Sequence, residues 1–358
     1  MKIGILTFHC ANNYGAVLQT YGLQEYLKTI GYEVCVIDYC PFYITEQYKT
    51  VKRFYTNAGV FFKIKLLLRS WAIIPIRYLR NRRFQKFRKS YLNLVSMTSQ
   101  NLNRMDVIIV GSDQIWNSMI TKLDSTYFGK IPGFEGRKTI AYAASVGNVK
   151  TLFTEIDKFK QLIGNCTAIS VREQSLQRFF YDKLGVTVSV VLDPVLLAGS
   201  STFVRIASKK HLDRPYLLVF MLNYDIELHC LAEQVARQKH LILLEMVSSA
   251  ESLKERHILS AESPNRFISL FMHADYVITS SFHGTVFALL FQKNFNVVSH
   301  DTQLADRMLS LLTLLGLQDR FFDGNTILDT SKIDYKIVND KLNDLRIQSQ
   351  KFINDALS

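Results

Sequence analysis

The stretch Tyr276–Phe291 (YVITSSFHGTVFALLF) sets two serines, a histidine and a glycine between an apolar run and a helix-forming one. At a strand-to-helix junction the first backbone N–H groups of the helix lack partners, and the positive end of its dipole faces the same place. Ser281, His283 and Gly284 therefore suit a cradle for phosphate or carboxylate, the imidazole adding a titratable donor and the glycine admitting close backbone approach. The same residues also read as an ordinary helix start, with Ser281 as N-cap and His283 a satisfied polar group.

Three more junctions carry polar chemistry. Ser170-Val171-Arg172-Glu173 places an arginine at the carboxyl end of an apolar run. Its planar fork can grip a phosphate or carboxylate through paired hydrogen bonds, or it can form an internal ion pair, Glu173 being the nearest acid in sequence. Asn12-Asn13-Tyr14-Gly15 has neither G-x-G-x-x-G nor a Walker lysine; its amides and phenol suit a sugar or a small acid, or simply build a turn. In Gly111–Asn117 (GSDQIWN), Ser112, Asp113 and Trp116 combine a hydroxyl, an acid and an indole, as sugar sites do, although a core tryptophan and a helix-capping aspartate would look the same. No metal-ligand spacing stands out among the eight histidines and five cysteines, which lack H-E-x-x-H and C-x-x-C, and no G-x-S-x-G elbow is present.

The elements that must position these loops alternate between strand and helix. Residues 1–40 read as strand, loop, helix and strand, the parallel unit of doubly wound folds. Further strands are expected at Asp106–Val110, Thr139–Ala143, Ala168–Val171 and Val188–Leu192, with punctuation at Asp193-Pro194. A second alternation follows Gly199–Pro215: strands at Tyr216–Phe220, Leu241–Glu245, Tyr276–Thr279 and Phe295–Val298, helices at Asp225–Lys239, Arg266–His273, Thr285–Phe291 and Gln303–Leu315. The expected organisation is α/β with two Rossmann-like domains, residues 1–198 and 199–335, and a ligand cleft between them at the carboxyl ends of the strands. A helical insertion at about 45–104 interrupts the first domain, Pro75 kinking or dividing its helix, and a final helix within 336–358 packs back on that domain.

With 358 residues, 48% apolar and 21% charged, the chain is long enough for two cores and is not disordered by composition. Met1–Phe8 starts a strand at once, and the odd cysteine count argues against a disulfide frame, so a cytoplasmic protein is expected. The net charge of +12 resides in one block: Lys49–Lys89 holds thirteen Lys or Arg and no acid. Such a block implies an anionic partner. Lys63, Lys65 and Arg69 interrupt its apolar run too often for a membrane span.

In this order, the segments GILTFHCANNYGAVLQTYGLQ, VGSDQIWN, AYAAS, SVRE, VLDPVLL and ADYVITSSFHGTVFALLF resemble the polysaccharide pyruvyl transferases, from about Gly4 to Val298; Thr45–Arg104 carries no matching motif. The resemblance implies a glycosyltransferase-B type fold, phosphoenolpyruvate as donor substrate with no further cofactor, and a sugar or lipid-linked glycan acceptor. The product would be a pyruvate ketal of a capsule or other surface polysaccharide. It further implies that Arg172 and His283 bind the donor, joined by Ser281 and Gly284. Asn12, Asn13, Tyr14, Ser112, Asp113 and Trp116 are then the acceptor-side candidates, Asp113 as base on the acceptor hydroxyl. On this reading the Lys49–Lys89 block, with Phe61, Phe62, Trp71 and Tyr78, rests on anionic lipid at the inner membrane face; otherwise it is a solvated helical face with its apolar stripe buried. Two rival readings remain. One is a glycosyltransferase of the same fold using a nucleotide sugar. The other is a nucleic-acid-binding protein, which would leave the cleft motifs unused and shows no nucleic-acid motif, so no nucleic-acid partner is expected.

Overall fold

Short runs such as Val107–Gly111 and Tyr216–Met221 are buried along their whole length, which a strand achieves only when helices cover both faces of a parallel sheet. The structure, a computed structural model, builds two such sheets; it describes residues 1–50, 60–210, 212–249, 258–299, 302–325 and 328–358, the side chains of 60–72 and 302–304 excepted. The first sheet contains β1 (Lys2–Leu6), β2 (Glu33–Asp38), β3 (Leu94–Ser96), β4 (Val107–Gly111), β5 (Lys138–Ala144), β6 (Ala168–Val171) and β7 (Ser189–Val190), in the order β3-β2-β1-β4-β5-β6-β7. The second contains β8 (Tyr216–Met221), β9 (Ile242–Val247), β10 (Tyr276–Thr279), β11 (Asn294–Val298) and β12 (Phe321–Phe322), in the order β12-β11-β10-β8-β9. All pairings between these strands are parallel. The strand order reverses between β1 and β4 and again between β8 and β10, and at such switch points the loops diverge and leave a crevice. HCANNYG follows β1, GSDQIWN follows β4, and SSFHG follows β10, so three of the four motifs flank a switch point. The expected α/β architecture of two Rossmann-like halves is the observed one.

Three boundaries differ from expectation. The helix Val60–Tyr91 is assigned unbroken through Pro75, because a proline removes one donor from a ladder that long helical runs on both sides sustain. The insertion also ends in a strand, β3, that its helical pattern did not announce. The helix after β10 is Phe282–Leu290, starting three residues before Thr285, so His283 and Gly284 lie inside its first turn. The last helix, Tyr335–Leu357, does pack back: Ser349 Oγ accepts from Leu192 N at 2.9 Å, and Arg346 Nη2 donates to Leu196 O at 3.2 Å.

The basic insertion acts as a strut between the halves. Phe84 and Phe87 are buried, and Tyr14 packs on Phe84 and stacks on Phe267 at 4.7 Å. Arg80 donates to Ser260 O at 2.6 Å and to Asn12 O at 2.8 Å, and Arg83 donates to Ala261 O at 2.8 Å. Arg82, Lys86, Lys89 and Tyr78 remain exposed on the opposite face. The side chains of Phe61, Phe62 and Trp71 lie outside the described residues. Among the described residues no helix is long and apolar enough to cross a membrane.

Candidate functional site

Arg172 follows β6 directly, and burial of that strand carries the guanidinium into the junction of the two halves, where the residue is 5% exposed. Its Nη1 donates to Asp193 Oδ2 at 3.0 Å, its Nε faces Glu173 Oε1 at 3.4 Å, and its Cζ lies 4.3 Å from the centroid of Phe282, in the other half. Asp193 is held by its own helix: Oδ1 caps Pro194–Ala198 by accepting from Val195 N at 3.0 Å. That leaves Oδ2 for three partners, Arg172, Ser112 Oγ at 3.3 Å and His283 Nε2 at 3.5 Å. Arg172 and His283, one from each half, thus converge on one buried carboxylate. The imidazole rests on the first turn of the Tyr14–Thr29 helix, where a Cβ at Gly15 would overlap it.

The charges are strongly coupled. Burial works to raise the Asp193 pKa, but His283 and Arg172 outweigh it and hold the carboxyl at about 2. For Arg172, burial disfavours the charge, and Glu173, Asp193 and Asp113 more than offset it, so its pKa is raised. Burial pushes the Glu173 carboxyl above its ordinary value, with Arg172 compensating only in part. A second guanidinium, Arg307, lies 5.7 Å from the Phe282 centroid; burial and the nearby Arg172 both lower its pKa. The Gln114 amide oxygen, turned to satisfy both its neighbours, accepts from Arg307 at 3.0 and 3.1 Å.

Against this network stand unsatisfied donors. Arg172 Nη2, His283 Nε2 and Arg307 Nε are buried without a hydrogen-bond partner, the imidazole Nε2 lying 3.5 Å from Asp193 Oδ2. Leaving a buried donor unmade costs about 1–3 kcal/mol, and more when it is charged. Such donors suit an anion with several oxygens, while Glu173 Oε2 is a buried acceptor in the same network that also lacks a partner. The void beside Arg172, Asp193 and Phe282 holds only about 10 Å³, room for roughly one water. A wider cleft of about 330 Å³ lies between the halves, lined by Asn13, Tyr48, Arg77, Asn81, Asn223 and Ser248 among others.

The structure sorts the sequence candidates. Arg172, His283 and Ser112 meet at Asp193, and Asp113, half-buried with φ of 66°, adds its charge to Arg172 and Arg307. Ser281 is the N-cap of the Phe282–Leu290 helix but makes no side-chain capping bond, so that first turn keeps uncapped amides. Gly284 has another use than the one expected: a Cβ there would overlap Thr279 Oγ1, so its small size serves helix–strand packing. Asn13 caps its helix and lines the wide cleft. Asn12, by contrast, is occupied by the insertion, its Nδ2 donating to Asn81 Oδ1 at 2.6 Å and its Oδ1 accepting from Arg88 at 2.8 Å. Tyr14 is fully buried and donates to Glu262 O at 2.9 Å, bridging the halves instead of facing an acceptor. Trp116 is fully buried too, stacked on Phe128 at 5.2 Å with its N–H donating to Tyr127 O, and no face of the indole is open to a sugar. Sequence reasoning missed Arg307 as part of the site, had Glu173 only as a possible ion-pair partner of Arg172, and treated Asp193 as punctuation. The Asp-Pro pair signals a helix cap, but nothing local signals that its second oxygen takes three partners.

Because Asp193 is the shared counter-charge, Asp193→Asn is expected to destabilise the protein by about 3–5 kcal/mol, the range for breaking a buried pair from one side. Its folded pKa is depressed, so the stabilisation is complete above the unfolded carboxylate value of 3.8 and is lost as pH falls through about 2. Urea unfolding of both proteins checks this: the gap should be full at pH 7 and narrow below pH of about 4.

No curated protein sequence matches the chain. Among solved structures it is similar to MnaA of S. aureus determined with UDP, at 12% identity, with 98% of this chain and 89% of that one covered and a TM-score of 0.46. It is also similar to the UDP-GlcNAc 2-epimerase of Methanocaldococcus jannaschii, at 10% identity, 96% and 92% coverage and a TM-score of 0.49. The glycosyltransferase SsfS6 of Streptomyces sp. SF2575 is similar at 12% identity, 98% and 96% coverage and a TM-score of 0.41. The family model for polysaccharide pyruvyl transferase matches residues 13–302, which take in every junction described above except the first residues of the β1 loop. A match over that much of the chain makes it a member of the polysaccharide pyruvyl transferase family.

Proposed function

We propose that the protein transfers the three-carbon unit of phosphoenolpyruvate to two hydroxyls of a sugar in a surface polysaccharide or lipid-linked glycan, forming a pyruvate ketal. The observation that carries this is the set of buried, unpartnered donors on Arg172, His283 and Arg307, drawn from both halves. A small dianion with a carboxylate supplies oxygens for all three, and preorganised cations in a water-poor site stabilise charge far better than water does.

In the reaction C3 of the enol phosphate gains a proton, C2 becomes oxocarbenium-like, and a sugar hydroxyl adds to it. The C–O bond to phosphate breaks and a second hydroxyl closes the ring; of the two hydroxyl protons released, one balances the proton on C3 and the other leaves with phosphate. Arg172, Arg307 and the uncapped amides after Ser281 neutralise phosphate and carboxylate. His283 is the proton donor, oriented by Asp193 and by the Gly15 backbone. Asp113 is the base on the acceptor hydroxyl. Since the void at Arg172 takes about one water, the donor enters as the halves part and the site closes over it. The wide cleft lined by Asn13 and Asn223 receives the acceptor.

Incubation with phosphoenolpyruvate and a panel of glycans tests the assignment. Expected are acceptor-dependent phosphate release and a mass gain of one pyruvyl ketal on the sugar. Consumption of UDP- or GDP-sugars, with phosphoenolpyruvate left intact, would overturn it.

A further inference from the structure

Away from this site, the carboxyl ends of the adjacent parallel strands β1 and β2 bring together three side chains of metal-ligating type. His9 follows β1 and is fully buried, Asp38 ends β2, and Cys40 lies two residues on. His9 Nε2 is 2.9 Å from Asp38 Oδ1 and 3.9 Å from Cys40 Sγ, and Cys40 Sγ is 3.1 Å from the same Oδ1. All three ligand atoms lie within 4.8 Å of one another.

The tautomer gives the arrangement its meaning. His9 Nδ1 is 3.2 Å from Thr7 O, and a carbonyl only accepts, so Nδ1 carries a hydrogen. In the neutral imidazole Nε2 is then a bare lone pair, pointed at a carboxylate oxygen that is also electron-rich. What joins the two is then either a second ring hydrogen, giving an imidazolium paired with Asp38, or a cation. The geometry fits an ion: zinc bond lengths place tetrahedral ligand atoms about 3.3–3.7 Å apart, and each edge of the cluster is within roughly half an ångström of that range. A backbone carbonyl holding the distal ring nitrogen is also the usual support for a metal-binding histidine. We propose that His9 Nε2, Asp38 and Cys40 form a site for one divalent cation of the zinc class. The carboxylate and a Cys40 thiolate neutralise the ion, and the fourth position goes to water. Ligands 29 and 2 residues apart make no recognised spacing, so the cluster is not legible along the chain.

The rival is a plain imidazolium–carboxylate pair with an uninvolved thiol. Cobalt(II) separates the two by spectroscopy, with no reference to turnover. The full-length protein, kept reduced by a phosphine and stripped by chelator, is titrated with cobalt(II). One equivalent should bind, with tetrahedral d–d absorption and a thiolate-to-cobalt charge-transfer band, and one equivalent of zinc should abolish both. Cys40→Ser is exposed enough to fold, as circular dichroism verifies, and should lose the charge-transfer band. Absence of the bands in excess cobalt, or a charge-transfer band that survives Cys40→Ser, overturns the proposal.

Discussion

On the proposed reaction, Arg172→Lys is expected to lower kcat/KM for phosphoenolpyruvate by about 100-fold or more, while the protein still folds. The magnitude is that of losing one preorganised donor to a developing anion, about 2.7–4 kcal/mol. Lysine keeps the charge that Asp193 and Glu173 require, so the buried acids are not abandoned. What it loses is shape. Arg172 spends Nε toward Glu173 and Nη1 on Asp193 while Nη2 stays free, and a single ammonium cannot meet both acids and still reach a ligand. Single-turnover phosphate release, read beside a thermal melt, checks it. Turnover near that of the unaltered protein would mean that the guanidinium is only an internal ion pair, the alternative its sequence context left open.

Gly15→Ala is expected to lower kcat about 100-fold and to lower the unfolding midpoint as well, since a Cβ there overlaps the buried His283 ring. Gly15 lies in the first turn of the Tyr14–Thr29 helix, where alanine is the better helix former by about 1 kcal/mol, so the substitution does not weaken the helix itself. Its Cβ, however, would overlap the His283 ring, and that ring is pinned on its other side by the ion pair to Asp193. The imidazole must move, and a displacement of about 1 Å at a reacting group can cost about 100-fold. Steady-state rates with circular dichroism test this. A variant with unchanged kcat would show that His283 does not act on the reacting atoms from this position.

Much of the frame could be read from the chain alone, because it is written in short-range terms. Apolar runs of strand length, helical periodicity between them and turn residues at their ends led to two Rossmann-like halves and to the junctions that carry Arg172 and His283. The same local logic was blind wherever a side chain had two plausible partners. Trp116 was open to either a sugar or the core, and Phe128, Phe159 and Phe180, distant in sequence, close around it. Tyr14 and Asn12 belong to a loop of ligand-binding type, yet one is taken by Phe267 and Glu262 and the other by the insertion. The basic block reads either as a surface seeking an anion or as a solvated helical face with its apolar stripe buried; neither reading shows that Arg80 in its middle is spent on backbone carbonyls, one of them 180 residues away.

The sequence by itself determined the fold class and the strand ends at which polar chemistry would collect, since these follow from propensities and periods within about ten residues. Only the tertiary structure decided that Asp193 joins Arg172 to His283, that Arg307 enters the same site, that Trp116 leaves it, and that His9, Asp38 and Cys40 face one another. Coulombic and hydrogen-bond energies act over a few ångströms of space, and packing sets those distances with no regard to separation along the chain.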